Sequence, residues 1–145
     1  MNASLSLKVL WRASVLAALL IVTACATGSG SRERSLDDTL RTYAATIRWG
    51  DIAQAESFID PVYRAAHPLT DLDLERFRQV KFTSYNERPA VPVSPDEVRQ
   101  SVEIGVVNLN TQAARSLIDQ QIWRYDAGSK RWLLSSGLPN LSRAE

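Results

Sequence analysis

Hydrophobic positions along this chain change their spacing twice, and each change predicts a different kind of element. From Ala13 to Val22 every residue but Ser14 is small or apolar. After a polar stretch, Leu36, Leu40, Tyr43 and Ile47 recur at i, i+4, i+7 and i+11, which places them on one helical stripe. Ser35 suits the N-cap of that helix, Asp37 and Asp38 suit its positive end, and Gly50 suits its C-terminal cap. Asp51 is placed to cap a second, short helix carrying Ile52, Ala55, Phe58 and Ile59, with Asp60-Pro61 as its stop. Residues 61–74 read as turn-rich, with a third short helix beginning near Thr70. The period then falls to two. Val80 and Phe82 alternate with Lys81 and Thr83, which predicts a strand. Pro89, Pro92 and Pro95 predict an extended connection or an irregular edge. Val98, Val102, Ile104 and Val106 share one parity and predict a half-buried strand. A further strand is expected over 115–125, a hairpin turn at Asp126-Ala127-Gly128-Ser129, and a last strand from Trp132. Helices followed by antiparallel strands predict an α+β fold with the helices packed on one sheet. No repeat, P-loop or Gly-rich nucleotide motif interrupts the pattern.

The apolar run near the start has its own meaning. Lys8 and Arg12 precede it with no acid nearby. About ten apolar residues match a secretion signal, whereas a spanning helix needs roughly twenty. Val22-Thr23-Ala24-Cys25 follows and resembles the lipobox of bacterial lipoproteins. The resemblance implies cleavage before Cys25, a diacylglycerol (palmitate-bearing) thioether on its sulfur, and anchoring to a membrane by lipid alone. Neither Ala26 nor Thr27 is the Asp that would retain such a protein in the inner membrane, so outer-membrane placement facing the periplasm is expected for a Gram-negative source. The expected organisation is therefore a signal peptide at 1–24, a flexible lipidated tether at 25–34, one domain at 35–141 and a loose tail at 142–145. A Gly/Ser-type tether of ten residues spans roughly 17 Å on average, which keeps the domain close to its anchor.

Composition narrows the partners. With 45% hydrophobic and 23% charged residues in 145, one ordered domain is expected. The precursor carries a net charge of +1; loss of Lys8 and Arg12 with the signal leaves 15 basic against 16 acidic residues, a net −1. That balance gives no electrostatic footprint for nucleic acid. The single cysteine excludes an internal disulfide and Cys-based zinc sites, and the single histidine, His67, leaves little for any metal centre. No cofactor or metal is expected. Asp71, Asp73 and Glu75 read as helix-start acids rather than as a cation site. His67, with no nucleophile motif near it, reads as a structural or surface residue.

Two stretches carry a resemblance to a fold family. Asp51-Ile-Ala-Gln-Ala-Glu behind an amphipathic helix resembles the opening of NTF2-like (cystatin-like α+β) domains. Residues 121–134, from Gln121-Ile-Trp-Arg-Tyr through Lys130-Arg-Trp-Leu-Leu, resemble their closing hairpin. Residues 47–51, 67–71 and 135–139 also resemble stretches of small uncharacterised proteobacterial lipoproteins. The resemblance implies N-terminal helices on a curved antiparallel sheet, with room for a pocket between helix and sheet, and it supplies no activity. In isomerase relatives a carboxylate and a tyrosine in such a pocket move a proton. Tyr43, Tyr63, Asp119 and Trp123 are the candidates here for a pocket of that kind, with Tyr125 beside them. Asp119 shares parity with Leu117 and Trp123 but also with Arg115 and Gln121, so alternation leaves open which face of its strand is buried. No catalytic residue is assigned. The expectation is a lipid-anchored envelope protein with a non-enzymatic binding or assembly module that meets an envelope protein partner; the alternative is a small apolar ligand, or weak enzymatic turnover, in the helix–sheet pocket.

Overall fold

The computed structural model describes residues 26–142. Cys25, the expected signal at 1–24 and positions 143–145 of the expected tail lie outside the described residues. The chain divides into two units, with the boundary in the sequence between Asp37 and Asp38. The described residues of the first are the opening turns of helix α1 (Ala26–Trp49). The second begins within the same helix and continues with α2 (Ile52–Glu56), α3 (Pro61–Ala66), α4 (Asp71–Arg78), β1 (Val80–Glu87), β2 (Val91–Ser94), β3 (Glu97–Asn108), β4 (Ala114–Asp126) and β5 (Arg131–Leu134). It is an α+β unit in which helices pack against a strongly curled antiparallel sheet, a half-barrel consistent with the NTF2-like fold.

Two expectations about the helices differ from what is seen. Helix α1 starts at Ala26, so Ser35 lies inside it and the stretch expected as a flexible tether is helical over its described residues. Arg32, Glu33 and Arg34 are good helix formers, and they extend the helix back past the serine. The second difference is at Asp60-Pro61, which starts a helix rather than ending one. Asp60 Oδ1 accepts from the N–H groups of Val62 at 2.7 Å and Tyr63 at 3.4 Å, and Pro61 takes the first helical position, where its missing donor costs nothing. Elsewhere the caps are as expected. Asp51 accepts from Gln54 N at 3.0 Å, Thr70 and Asp73 form a reciprocal capping box at α4, and Gly50 ends α1 with φ +72°.

The strand order is β1-β3-β4-β5, with β2 sharing an edge of β3 with β1. The prolines at 92 and 95 confine β2 to a short irregular edge, since proline cannot donate to a ladder. Strand β1 carries a bulge between Phe82 and Ser84. The extra residue resets the alternation, so Phe82 faces Val106, Tyr85 faces Ile104, and both side chains are buried. In β4 the parity left open by the sequence is settled: Leu117, Asp119, Gln121 and Trp123 are buried, while Ile118 is 57% exposed. Tyr43, Ala44 and Ile47 of α1 are likewise buried, and the Tyr43 ring meets Trp123 edge-on at 5.2 Å and Phe58 at 5.5 Å. Burial of a side chain such as Ile47, Val102 or Ile104 contributes on the order of 2 kcal/mol each. Trp49, by contrast, is 88% exposed at the end of α1.

Candidate functional site

The inner face of β4 carries polar side chains where apolar ones would be expected, and they are joined into a network. Gln121 is its hub. Its Nε2 donates to Asp119 Oδ2 at 2.8 Å and to the Tyr85 hydroxyl at 2.9 Å, and its Oε1 accepts from Trp123 Nε1 at 3.1 Å. Both donors of the amide are thereby used. Arg48 of α1 closes the outer side by donating to the Tyr85 carbonyl at 3.0 Å, with its guanidinium 5.7 Å from the centre of that ring. The Tyr43 hydroxyl is fully buried and has no hydrogen-bond partner among the described residues. Burial, and secondarily the Asp119 and Tyr85 charges, push the Tyr43 hydroxyl well above the usual phenol range. Tyr85 is raised too, again chiefly by burial, with the Gln121 hydrogen bond opposing it.

Asp119 is the one member of the network that also reaches a cleft. The residue is buried, with 8% of its surface exposed. Burial raises its carboxyl from the ordinary 3.8 to about 6, and the Gln121 hydrogen bond opposes that rise without cancelling it. Oδ2 is engaged by Gln121; among the described residues none donates to Oδ1. The cleft, of about 540 Å³, runs beside the first part of β4. One wall comes from α3 and α4, the other from the segment after β5, Ser136–Ser142.

That cleft exists because of how β4 is paired. β4 is 13 residues long, but β5 covers only Trp123 to Asp126. The chain then continues past β5 and touches β4 again at Ile122, where Ser135 N donates to the Ile122 carbonyl at 2.8 Å and Ile122 N donates to Ser136 Oγ at 3.2 Å. Its next tie is at Arg115, whose Nη2 donates to the Leu141 carbonyl at 2.7 Å. Between these ties it leaves the strand. Antiparallel pairing turns the backbone groups of successive residues to opposite edges. Tyr125 N points to the β3 side, to Asp96 O at 2.9 Å, and the Ile122 groups point to the other side. By the same alternation, the N–H and C=O of Ile118 and Gln120 are turned toward the cleft, and among the described residues no tail or loop backbone group reaches them.

The α3 wall is fixed by stacking. The rings of Tyr63 and His67 lie 4.3 Å apart at 21°, the Tyr63 hydroxyl donates to the Ser136 carbonyl at 3.2 Å, and His67 Nδ1 lies 3.2 Å from the Tyr63 carbonyl oxygen. On the α4 wall, Asp73 bonds Arg76 at 3.1 Å and its Oδ2 accepts from the Thr70 hydroxyl at 2.6 Å, which holds the Asp73 carboxyl below the usual range. Glu75 pairs with Arg78. Asp73 therefore serves capping and local pairing and Glu75 local pairing, and among the described residues no group of three His, Cys, Asp or Glu side chains could hold a metal ion.

Of the residues singled out in the sequence, Tyr43, Asp119 and Trp123 meet around one network, and Tyr63 joins Asp119 in the cleft. Tyr125 lies apart, edge-on to Trp132 at 5.4 Å. Cys25 lies outside the described residues. Gln121 and Tyr85 are the members sequence reasoning missed. Gln121 alternates with Asp119 and Trp123, which is a usable signal; Tyr85 is hidden by the bulge before it.

Comparison with known proteins adds no name to this geometry: no family model matches the chain, and no curated protein does.

Proposed function

We propose that this chain is a lipid-anchored envelope protein, held through an acylated Cys25 at the periplasmic side of the outer membrane, whose α+β unit is a non-enzymatic binding module with the β4 cleft as its binding surface. The observation that carries the binding part is the uncovered stretch of β4. A strand edge and a buried carboxylate both open on the same cleft, and among the described residues no group bonds the edge or Asp119 Oδ1. Proteins otherwise cover such edges. Among the described residues, Asp119 is hydrogen-bonded only to the Gln121 amide, and Ser136 Oγ accepts from Ile122 N. Among the described residues the exposed large apolar side chains are mostly scattered, with Trp49 on α1, Val62 on α3, Leu72 on α4 and Ile118 on β4, and only Val91 and Val93 share an element, the short edge strand β2. The cleft is therefore the better recognition feature. The anchor rests on the Val22-Thr23-Ala24-Cys25 motif behind an apolar run, and no described helix is long and apolar enough to cross a membrane.

The test joins chemistry to effect. The wild-type protein is expected to incorporate labelled palmitate and to fractionate with outer-membrane markers, and Cys25→Ala to lose the label. In a deletion strain, Cys25→Ala should fail to complement while its domain still folds. Wild-type protein that is unlabelled and released in soluble form would remove the anchoring proposal.

A second proposal, proton transfer to a small ligand, is favoured by one observation: a carboxyl raised to about 6 is poised to exchange a proton near neutral pH. Turnover of a carbonyl substrate that is lost in Asp119→Asn would establish it.

A further inference from the structure

We propose that the cleft takes an extended peptide segment of a partner protein, added as a strand along the open edge of β4, with a lysine or arginine side chain of that segment seated on Asp119. This rests on the cleft being the binding surface and names what fills it.

The edge specifies a peptide. Ile118 and Gln120 each turn both a donor and an acceptor to the cleft. That alternating pair of N–H and C=O groups is matched by another backbone in extended form, and strand addition of this kind is an established way for a sheet to bind a chain. The cleft is also closed at each end by a tie, at Ile122 and at Arg115, so it accommodates a short segment rather than a long strand.

Asp119 specifies the charge. Its own backbone groups face β3, so a strand added on the other edge meets it as a non-hydrogen-bonded neighbour. In that arrangement facing side chains approach most closely. Among the described residues, the ionisable groups around it supply no counter-charge. Tyr43 on α1 and Tyr85 on β1 are neutral phenols, and Val102 is the cross-strand neighbour on β3. Across the cleft, Arg76 is bonded to Asp73, and His67 is stacked on Tyr63. Gln121 has no donor left to offer Oδ1. A buried carboxylate without a cation is a costly group, and a ligand cation offsets that cost where an apolar side chain does not. Phe77, Leu117 and Ile59 line the same cleft and suit the methylene stem of such a side chain.

The experiment uses the full chain in detergent, labelled with ¹⁵N, and four short capped peptides: Ac-Val-Lys-Val-NH2, its norleucine and glutamate counterparts, and the lysine peptide methylated at its backbone nitrogens. At pH 7.5 the lysine peptide is expected to shift the Ile118 and Gln120 amides and the Gln121 side-chain amide saturably. It should bind at least tenfold tighter than the norleucine peptide, and the glutamate and N-methylated peptides should not saturate. Asp119→Asn should reduce the lysine preference to less than twofold while the norleucine peptide binds as before. In wild type the same preference should fade between pH 7 and pH 5, and His67→Gln should leave that fading in place. Equal binding of lysine and norleucine peptides, preference for glutamate, undiminished binding after N-methylation, or no saturation by any peptide would each overturn the proposal. Loss of palmitate labelling with intact lysine-peptide binding would remove the anchoring proposal alone.

Discussion

Replacing Asp119 with asparagine should make the domain more stable at neutral pH and should flatten its stability across the weakly acidic range. The carboxyl moves from the ordinary 3.8 to about 6 in the folded protein. Below 3.8 it is protonated in both states. Between the two values the folded protein holds a proton that the unfolded chain has released, so stability falls as pH rises. Above about 6 the group is ionised in both states and the loss is complete. At 1.36 kcal/mol per pH unit the interval corresponds to about 3 kcal/mol, or on the order of 10 °C in Tm for a domain of this size. The acids Asp73, Glu97 and Asp126 are all held below their usual range by hydrogen bonds, so they titrate at lower pH than Asp119. Asparagine keeps the shape, accepts the Gln121 donor through its own oxygen, and carries no charge to desolvate. Urea and thermal unfolding followed by circular dichroism at half-unit steps from pH 4.5 to 7.5 would measure both proteins. A wild-type profile that rises or stays flat toward pH 7.5, or an Asp119→Asn profile with the wild-type slope, would refute this account of the buried carboxyl.

Two further substitutions probe the network and the cleft wall. Trp123→Ala should cost about 3–5 kcal/mol in urea unfolding, from a large cavity at the centre of the core. Trp123→Phe should cost less yet leave Gln121 Oε1 without its donor, a loss of roughly 1–3 kcal/mol. Gly137→Ala should destabilise by about 1–3 kcal/mol, because φ there is +79° and a Cβ would lie 2.9 Å from Tyr63 Cε1. Adding Tyr63→Ala should recover part of that loss, and a purely additive double mutant would contradict the contact.

The alternation of Val98, Val102, Ile104 and Val106 made β3 legible, because a half-buried strand leaves a period-two record of its own burial. Caps were legible for a similar reason: Asp51 and Thr70 carry short side-chain oxygens that accept from the first N–H groups of a helix. At Asp60-Pro61 the same rule applies, although proline also stops helices. In fact aspartate followed by proline is also how a helix begins. The early start of α1 was not legible, since glycine and serine before Arg32 carry no apolar stripe to extend.

Asp119 and its neighbours were half legible, and the reason is physical. Binary patterning identifies a buried face by its apolar residues, and β4 buries Asp119 and Gln121 between Leu117 and Trp123. A strand that puts polar groups inward imitates a strand turned the other way, so parity alone gives two answers. What decides between them is satisfaction of hydrogen bonds. Gln121 can be inside because Asp119, Tyr85 and Trp123 meet all of its polar atoms, and that constellation needs Tyr85 to face inward across two strands. Tyr85 does so only because one extra residue is inserted after Phe82 in β1. With simple alternation from Phe82, Tyr85 would face solvent, and Gln121 would lose an acceptor in the core. The bulge and the polar network are therefore one feature. Gly105, opposite the bulge, donates its N–H to Ser84 Oγ at 3.1 Å, and an added Cβ there would fall against Ser84 and Thr83. The position of the acid at the cleft thus depends on a glycine on another strand, a dependence that no reading of β4 by itself could contain.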